Sequence, residues 1–332
     1  MRHVLLPWLL GLSLLACETV QDPVSSVHAP AATTWSVDRV ETTGGLASVW
    51  GSGPHDVWAA GGQQDHGLVL HNDGNGWIPI ETGAKSFLWW IYGLGADDVY
   101  AVGAKGLIQH FDGKAWTTVP SGTTKTLFGL WGASGQDVWI VGGDPWGKAG
   151  DAIVLRGNAS GFHAVPLPGG LLPEAMFKIY GTPAGDVVAV GTSGAVLRYD
   201  GTWKRDVVPT TGPLISLWGG GGETLYAVGG EATGIVLYFD GTHWSQVNGV
   251  QAGLELYGVF KAPGQPVFAV GAGPRILELG QGARLLEREA PVLDSTTVLH
   301  SVWGDGLGTV YAVGGSLYSD PANMTGVILR RR

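Results

Sequence analysis

From residue 45 onward the chain is built of short apolar runs separated by turn signals, the pattern expected of strands rather than helices. One run recurs. Asp56-Val57-Trp58-Ala59-Ala60-Gly61 returns as Asp98-Val99-Tyr100-Ala101-Val102-Gly103, Asp137-Val138-Trp139-Ile140-Val141-Gly142 and Asp186-Val187-Val188-Ala189-Val190-Gly191. Looser copies begin at Thr224, Pro266 and Thr309. The closing glycines of the seven copies are 42, 39, 49, 38, 42 and 43 residues apart. A fixed period of this size marks a repeat architecture.

Each copy is the second strand of a four-strand unit. The first strand ends in an aromatic: Trp50, Tyr92, Trp131, Tyr180, Trp218, Phe260 and Trp303. The third is an apolar run closing on a turn, as in Leu107-Ile108-Gln109-His110-Phe111-Asp112-Gly113, and the fourth opens with Trp, as in Trp116-Thr117-Thr118-Val119. Asp-Gly between apolar runs is a strong hairpin signal because both residues tolerate positive φ. It occurs at Asp73-Gly74, Asp112-Gly113, Asp200-Gly201 and Asp240-Gly241, followed by Trp77, Trp116, Trp203 and Trp244. The third and sixth units carry Arg156-Gly157 and Leu279-Gly280 there instead.

Four strands at a period near 42 predict the blade of an all-β, seven-bladed β-propeller, in which each antiparallel sheet buries its two faces against its neighbours. The seventh unit stops at Val327-Ile328-Leu329-Arg330, after its third strand, while Trp35-Ser36-Val37-Asp38-Arg39-Val40 stands alone before the first unit and matches a Trp-led fourth strand. The N-terminal strand is therefore predicted to complete the last blade and remove an open edge. The repeats resemble bacterial propellers with DVWAVG and DGxxW motifs, and more loosely Asp-box (BNR) and tectonin-type propellers. The resemblance spans 35–332 and implies the fold. It does not carry sialidase activity over, because Asp112-Gly113-Lys114-Ala115-Trp116 departs from the Asp-box and because that box is a structural turn remote from the family's active site.

Composition agrees. Only 14% of residues are charged, with 56 Gly and 15 Trp among 332. The formal net charge is −9, and the one basic cluster is Arg330-Arg331-Arg332, which argues against a nucleic-acid partner.

Before the repeats, Arg2 and His3 precede an apolar stretch from Val4 to Leu15 that ends in Leu14-Leu15-Ala16-Cys17. The stretch is short for a membrane span. It resembles a bacterial lipoprotein signal, which implies cleavage before Cys17 and a diacylglycerol on its thiol; the alternative is an ordinary signal peptide with an incidental cysteine. Cys17 is the sole cysteine. Glu18, not Asp, follows the cysteine, which in the enterobacterial members of that family implies outer-membrane sorting. The expected organisation is a signal at 1–16, a lipid-anchored flexible tether at 17–34 rich in Pro, Ser, Ala and Thr, and the propeller at 35–332.

No catalytic constellation emerges. Asp56, Asp98, Asp137 and Asp186 recur at one blade position and read as turn-forming carboxylates bonding backbone amides, as do Asp73, Asp112, Asp200 and Asp240. No HxH or HExxH pair suggests zinc, and His71 and His110 share a repeated position. No cofactor is expected. Departures from the repeat say more. Loops from second to third strands share a face with the connections between blades. They include Asp65 and His66, the insert 144–151 with Asp144, Trp146 and Lys148, and 316–325 with Tyr318. Trp146 reads either as a platform for sugar or peptide or as a lid on its own blade. The middle position of the innermost strands reads Ser48, Trp90, Gly129, Lys178, Ser216, Gly258 and Ser301. Small residues suit a crowded axis; Trp90 and Lys178 break the rule, as a plug or as a ligand site. The expectation is a monomeric, non-enzymatic binding or scaffold propeller recognising a protein or other component of the cell envelope, touching the membrane only through its anchor. The alternatives are a lectin-like propeller for envelope glycans and, third, a glycan hydrolase or lyase.

Overall fold

The computed structural model describes residues 34–332 apart from 42, 183, 222, 251–254, 263, 281–284, 289 and 318–323. Cys17, the leader, the tether and Tyr318 lie outside the described residues. The described strands form seven four-stranded antiparallel sheets. In chain order the innermost strands are β2 (Gly45–Gly53), β6 (Leu88–Gly95), β10 (Thr126–Ser134), β14 (Met176–Gly181), β18 (Leu214–Gly221), β22 (Leu256–Lys261) and β26 (Val298–Gly304). Each recurrent apolar run is the second strand of its blade, as β3 (Asp56–Gly62) shows, and is buried almost throughout. A strand covered on both faces by neighbouring blades needs a continuous apolar run, and Val57 to Gly62 supplies one.

The ring closes as expected. β1 (Trp35–Glu41) pairs antiparallel with β28 (Gly326–Arg331), from Trp35 opposite Arg331 to Glu41 opposite Gly326, with a register shift between Val37 and Arg39. It also grips the first blade. Trp77 Nε1 donates to Asp38 at 2.9 Å, and Arg39 Nη1 donates to the Trp77 carbonyl at 3.0 Å.

Both repeated aromatics lock blade to blade. The Trp that opens a fourth strand packs on the second-strand aromatic of the preceding blade. Trp116 meets Trp58 at 5.7 Å between centroids, Trp203 meets Trp139 at 6.1 Å, Trp77 meets Tyr311 at 5.6 Å, and Trp35 meets Phe268 at 6.2 Å. Nearer the axis, the aromatic ending a first strand lies in a notch left by a glycine on the next blade. A Cβ on Gly93 would stand 2.2 Å from the Trp50 ring, and one on Gly181 2.1 Å from the Trp131 ring.

The repeated carboxylates are structural by a different route from the one expected. Asp56, Asp98 and Asp137 bond side chains rather than turn amides. His71 Nε2 donates to Asp56 at 2.7 Å and His110 Nε2 to Asp98 at 2.8 Å, while Arg156 forks onto Asp137 at 2.6 and 3.0 Å. Each of these partners lies against its blade's second-strand aromatic: His71 on Trp58 at 3.9 Å, His110 on Tyr100 at 4.3 Å, Arg156 over Trp139 at 4.7 Å. The hairpin carboxylates do bond amides. Asp112 Oδ1 accepts from Lys114 and Ala115, and Asp240 Oδ1 from Thr242 and His243.

Candidate functional site

All seven innermost strands carry a β-bulge at one place. The pairing register with the second strand shifts between Leu46 and Ser48, Leu88 and Trp90, Leu127 and Gly129, Met176 and Lys178, Leu214 and Ser216, Leu256 and Gly258, and Leu299 and Ser301. The residue left over in each blade is Ala47, Trp89, Phe128, Phe177, Ile215, Tyr257 or His300. A bulge re-aims the extra side chain. Here six of the seven, all but Ala47, line one cavity of about 860 Å³ at a mouth of the axial channel.

The walls are nearly continuous aromatic surface. Trp89 lies 5.8 Å from Phe128, Phe128 lies 5.3 Å from Phe177, and His300 lies 5.7 Å from Trp89 and 5.4 Å from Tyr257. Ala47, too small to reach the lumen, lets Trp89 and His300 meet across its blade. On one side the rim is raised by the loop between β11 (Asp137–Gly143) and β12 (Ile153–Asn158). Asp144, Trp146 and Asp151 of this loop line the cavity. Trp146 is 91% exposed and so does not cover its own blade. The loop is held by its own carboxylates. Asp144 accepts from the Trp146 amide at 3.1 Å, and Asp151 accepts from the Lys148 amide and from Lys125 Nζ, both at 2.9 Å. The bond from the Lys148 amide and then the Lys125 ammonium hold the Asp151 carboxyl below its ordinary range.

Trp90 and Lys178 come together below these walls, on either side of Gly129. Lys178 Nζ stands 4.0 Å over the Trp90 ring and donates to the Phe128 carbonyl at 3.1 Å. A Cβ on Gly129 would come within 3.2 Å of Lys178 Cδ and 2.5 Å of the Phe177 carbonyl oxygen, so only glycine leaves room for this reach. Both side chains of the pair are buried, and Lys178 also lines the cavity. Burial pushes the Lys178 amine down to about 7. Burial, then the Lys178 charge, push His300 down to about 3 against the opposing effect of its bond to the Ala47 carbonyl. That carbonyl only accepts, so neutral His300 carries its proton on Nδ1 and donates it at 2.8 Å. The small residues at the same level have their own task. Ser48 Oγ accepts from the Ile91 amide, Ser216 Oγ from Val259 and Ser301 Oγ from Val49, each tying one innermost strand to the next.

Of the residues singled out from sequence, Asp144, Trp146 and Lys178 line the cavity, with Trp90 under Lys178. Lys148 contributes its backbone amide, and the cation on Asp151 is Lys125. Asp65 and His66 pair with each other at 3.2 Å on an exposed loop of the first blade and are not among the lining residues. The bulge residues were missed. Their signal was present as a column of large side chains, one place before the small one, where a crowded axis should admit none.

No known family profile matches the chain, and no curated protein matches it. Solved structures do. A YCF48 structure with bound D1 peptide is 14% identical and covers 92% of this chain and 99% of its own, with a TM-score of 0.63. A catalytically inactive virginiamycin B lyase from Staphylococcus aureus with quinupristin is 12% identical over 89% of this chain and 99% of its own, TM-score 0.71. The WD40 propeller domain of Doa1 is 10% identical over 89% and 97%, TM-score 0.67. At these identities the likeness is one of fold, shared by binding scaffolds and a lyase alike. The fold defines the chain as a seven-bladed β-propeller closed by its N-terminal strand.

Proposed function

We propose that the chain is a non-enzymatic binding propeller that seats a segment of a protein partner, at the cell envelope, in the aromatic cavity at the channel mouth. The observation that carries this reading is the convergence of six bulged side chains from six blades on one apolar-walled cavity, with exposed Trp146 at its rim. A concave site whose bulged residues wall it with aromatic side chains, with polar groups among the rest of its lining, suits a ligand that brings its own apolar side chain. The carboxylates at the rim are engaged by Lys125 and by amides of their own loop, an arrangement that builds a wall rather than an acid–base pair. The YCF48 neighbour, solved with a peptide, is a precedent for the ligand class on this fold.

The test is panning of the full chain, in detergent, against a peptide library and a glycan array. Peptides with apolar side chains should be captured. Trp146→Ala should weaken them about fivefold or more, the effect of removing an aromatic anchor, without lowering the melting temperature. Capture of glycans alone would transfer the site to the lectin-like alternative. The lipid anchor at Cys17 belongs to the same proposal. Cys17→Ala should move the protein from the membrane to the soluble fraction, and a variant that still sediments with membranes would remove the anchor from the account.

A further inference from the structure

We infer that the cavity is completed by a carboxylate of an apolar ligand, placed against the Lys178 ammonium, so that the site reads an acidic terminus and not an apolar surface alone. The inference deepens the proposed function and rests on it. Lys178 is 4% exposed, yet it lines the cavity. One of its three N–H groups is taken by the Phe128 carbonyl and another faces the Trp90 ring, which leaves one donor with no partner among the described residues. No carboxylate of the described residues pairs with it. A buried charge normally sits beside an opposite one or gives up its proton. The protein supplies a donor here and leaves the anion to the ligand.

The other ionisable groups around the cavity do not fill this role. His300 on β26 is held neutral and spends its proton on Ala47. Lys125 and Asp151 neutralise one another at the rim, and Asp144 accepts from the Trp146 amide. Tyr257 on β22 donates its hydroxyl to Glu255. Lys178 is thus the cation at the cavity floor. A carboxylate arriving there would favour the protonated amine, so binding above neutral pH would draw a proton from solvent.

Two sources offer this chemistry, a peptide C-terminus ending in an apolar residue and a free aromatic acid. The experiment is calorimetry on the full chain with four probes: a hexapeptide ending in phenylalanine, its C-terminal amide, 3-phenylpropionate and 3-phenylpropionamide. Each carboxylate should bind about tenfold or more tightly than its amide, the effect of one charge-assisted hydrogen bond in a site poor in water. The preference should collapse in Lys178→Met and persist in Lys114→Met, an exposed lysine of the second blade's hairpin that is not among the lining residues. At pH 8 the carboxylates should bind with net proton uptake, read from buffers of different ionisation enthalpy. A peptide tighter than phenylpropionate assigns the site to chain ends; equal affinities assign it to small acids. Should Lys178→Met fail to fold, the proton uptake and the acid–amide ratio of the unaltered chain decide. Acid and amide binding alike overturns the role of Lys178 and leaves the cavity as an apolar seat. Binding of none of the four overturns this inference, while the peptide panning still judges the broader reading.

Discussion

Asp56, expected from sequence to bond turn amides, is structural in the fold through side-chain partners instead. Burial raises its pKa, but bonds from His71, Ser52 and Trp58 outweigh that, and the carboxyl ends below its ordinary value of 3.8. A group whose folded pKa is depressed adds stability that is present above its unfolded value and lost as pH falls through the folded one. Asp56→Asn should therefore be less stable than the unaltered protein at pH 7, by about 1–2 kcal/mol. The gap in melting temperature should narrow below pH 3.8 and close in stronger acid. A gap that stays constant across that range would show that the charge on Asp56 contributes nothing. Gly129 is the converse case, a residue with no side chain whose emptiness lets Lys178 reach Trp90.

At the scale of the strand, the repeat made the blades legible because turn chemistry and apolar runs recur with it. The Asp-Gly hairpins, the Trp-led fourth strands and the split last blade all follow from local signals that need no knowledge of the neighbouring blade. The cavity was less legible for a definite reason. Side chains alternate along a strand, so a bulge of one residue exchanges the faces of everything beyond it. Reading the axis at Trp90 rather than Trp89 is that one-residue slip, and nothing in Leu88-Trp89-Trp90 alone reveals it. Trp146 and Asp144 were found because an insertion breaks the repeat, which is visible without register. The interlock of blades yields its own test. Gly181→Ala drives a methyl into the Trp131 ring and should cost about 1–3 kcal/mol, as overpacked cores do. Gly169→Ala, which meets nothing within 4 Å, should leave the melting temperature nearly unchanged. Equal effects from the two substitutions would mean that the notch is not filled in solution.

For the whole molecule the decisive contact is between the two ends of the ring. β1 supplies the outer strand of the last blade, and Asp38 and Arg39 tie it to the first. Removing residues 35–41 leaves β28 as an unpaired edge, a template for pairing with another chain. The shortened protein should melt at a lower temperature and form dimers or larger species in light scattering; a monomer of unaltered stability would show that the closure is dispensable. The bulges have a different consequence. A bulged residue stands outside the hydrogen-bond ladder, and those at Trp89, Phe128, Phe177, Ile215, Tyr257 and His300 face one space. Such a set can be rewritten one letter at a time while the joints between blades are left alone. Diverging copies of this chain can then acquire new tastes without first having to relearn how to fold.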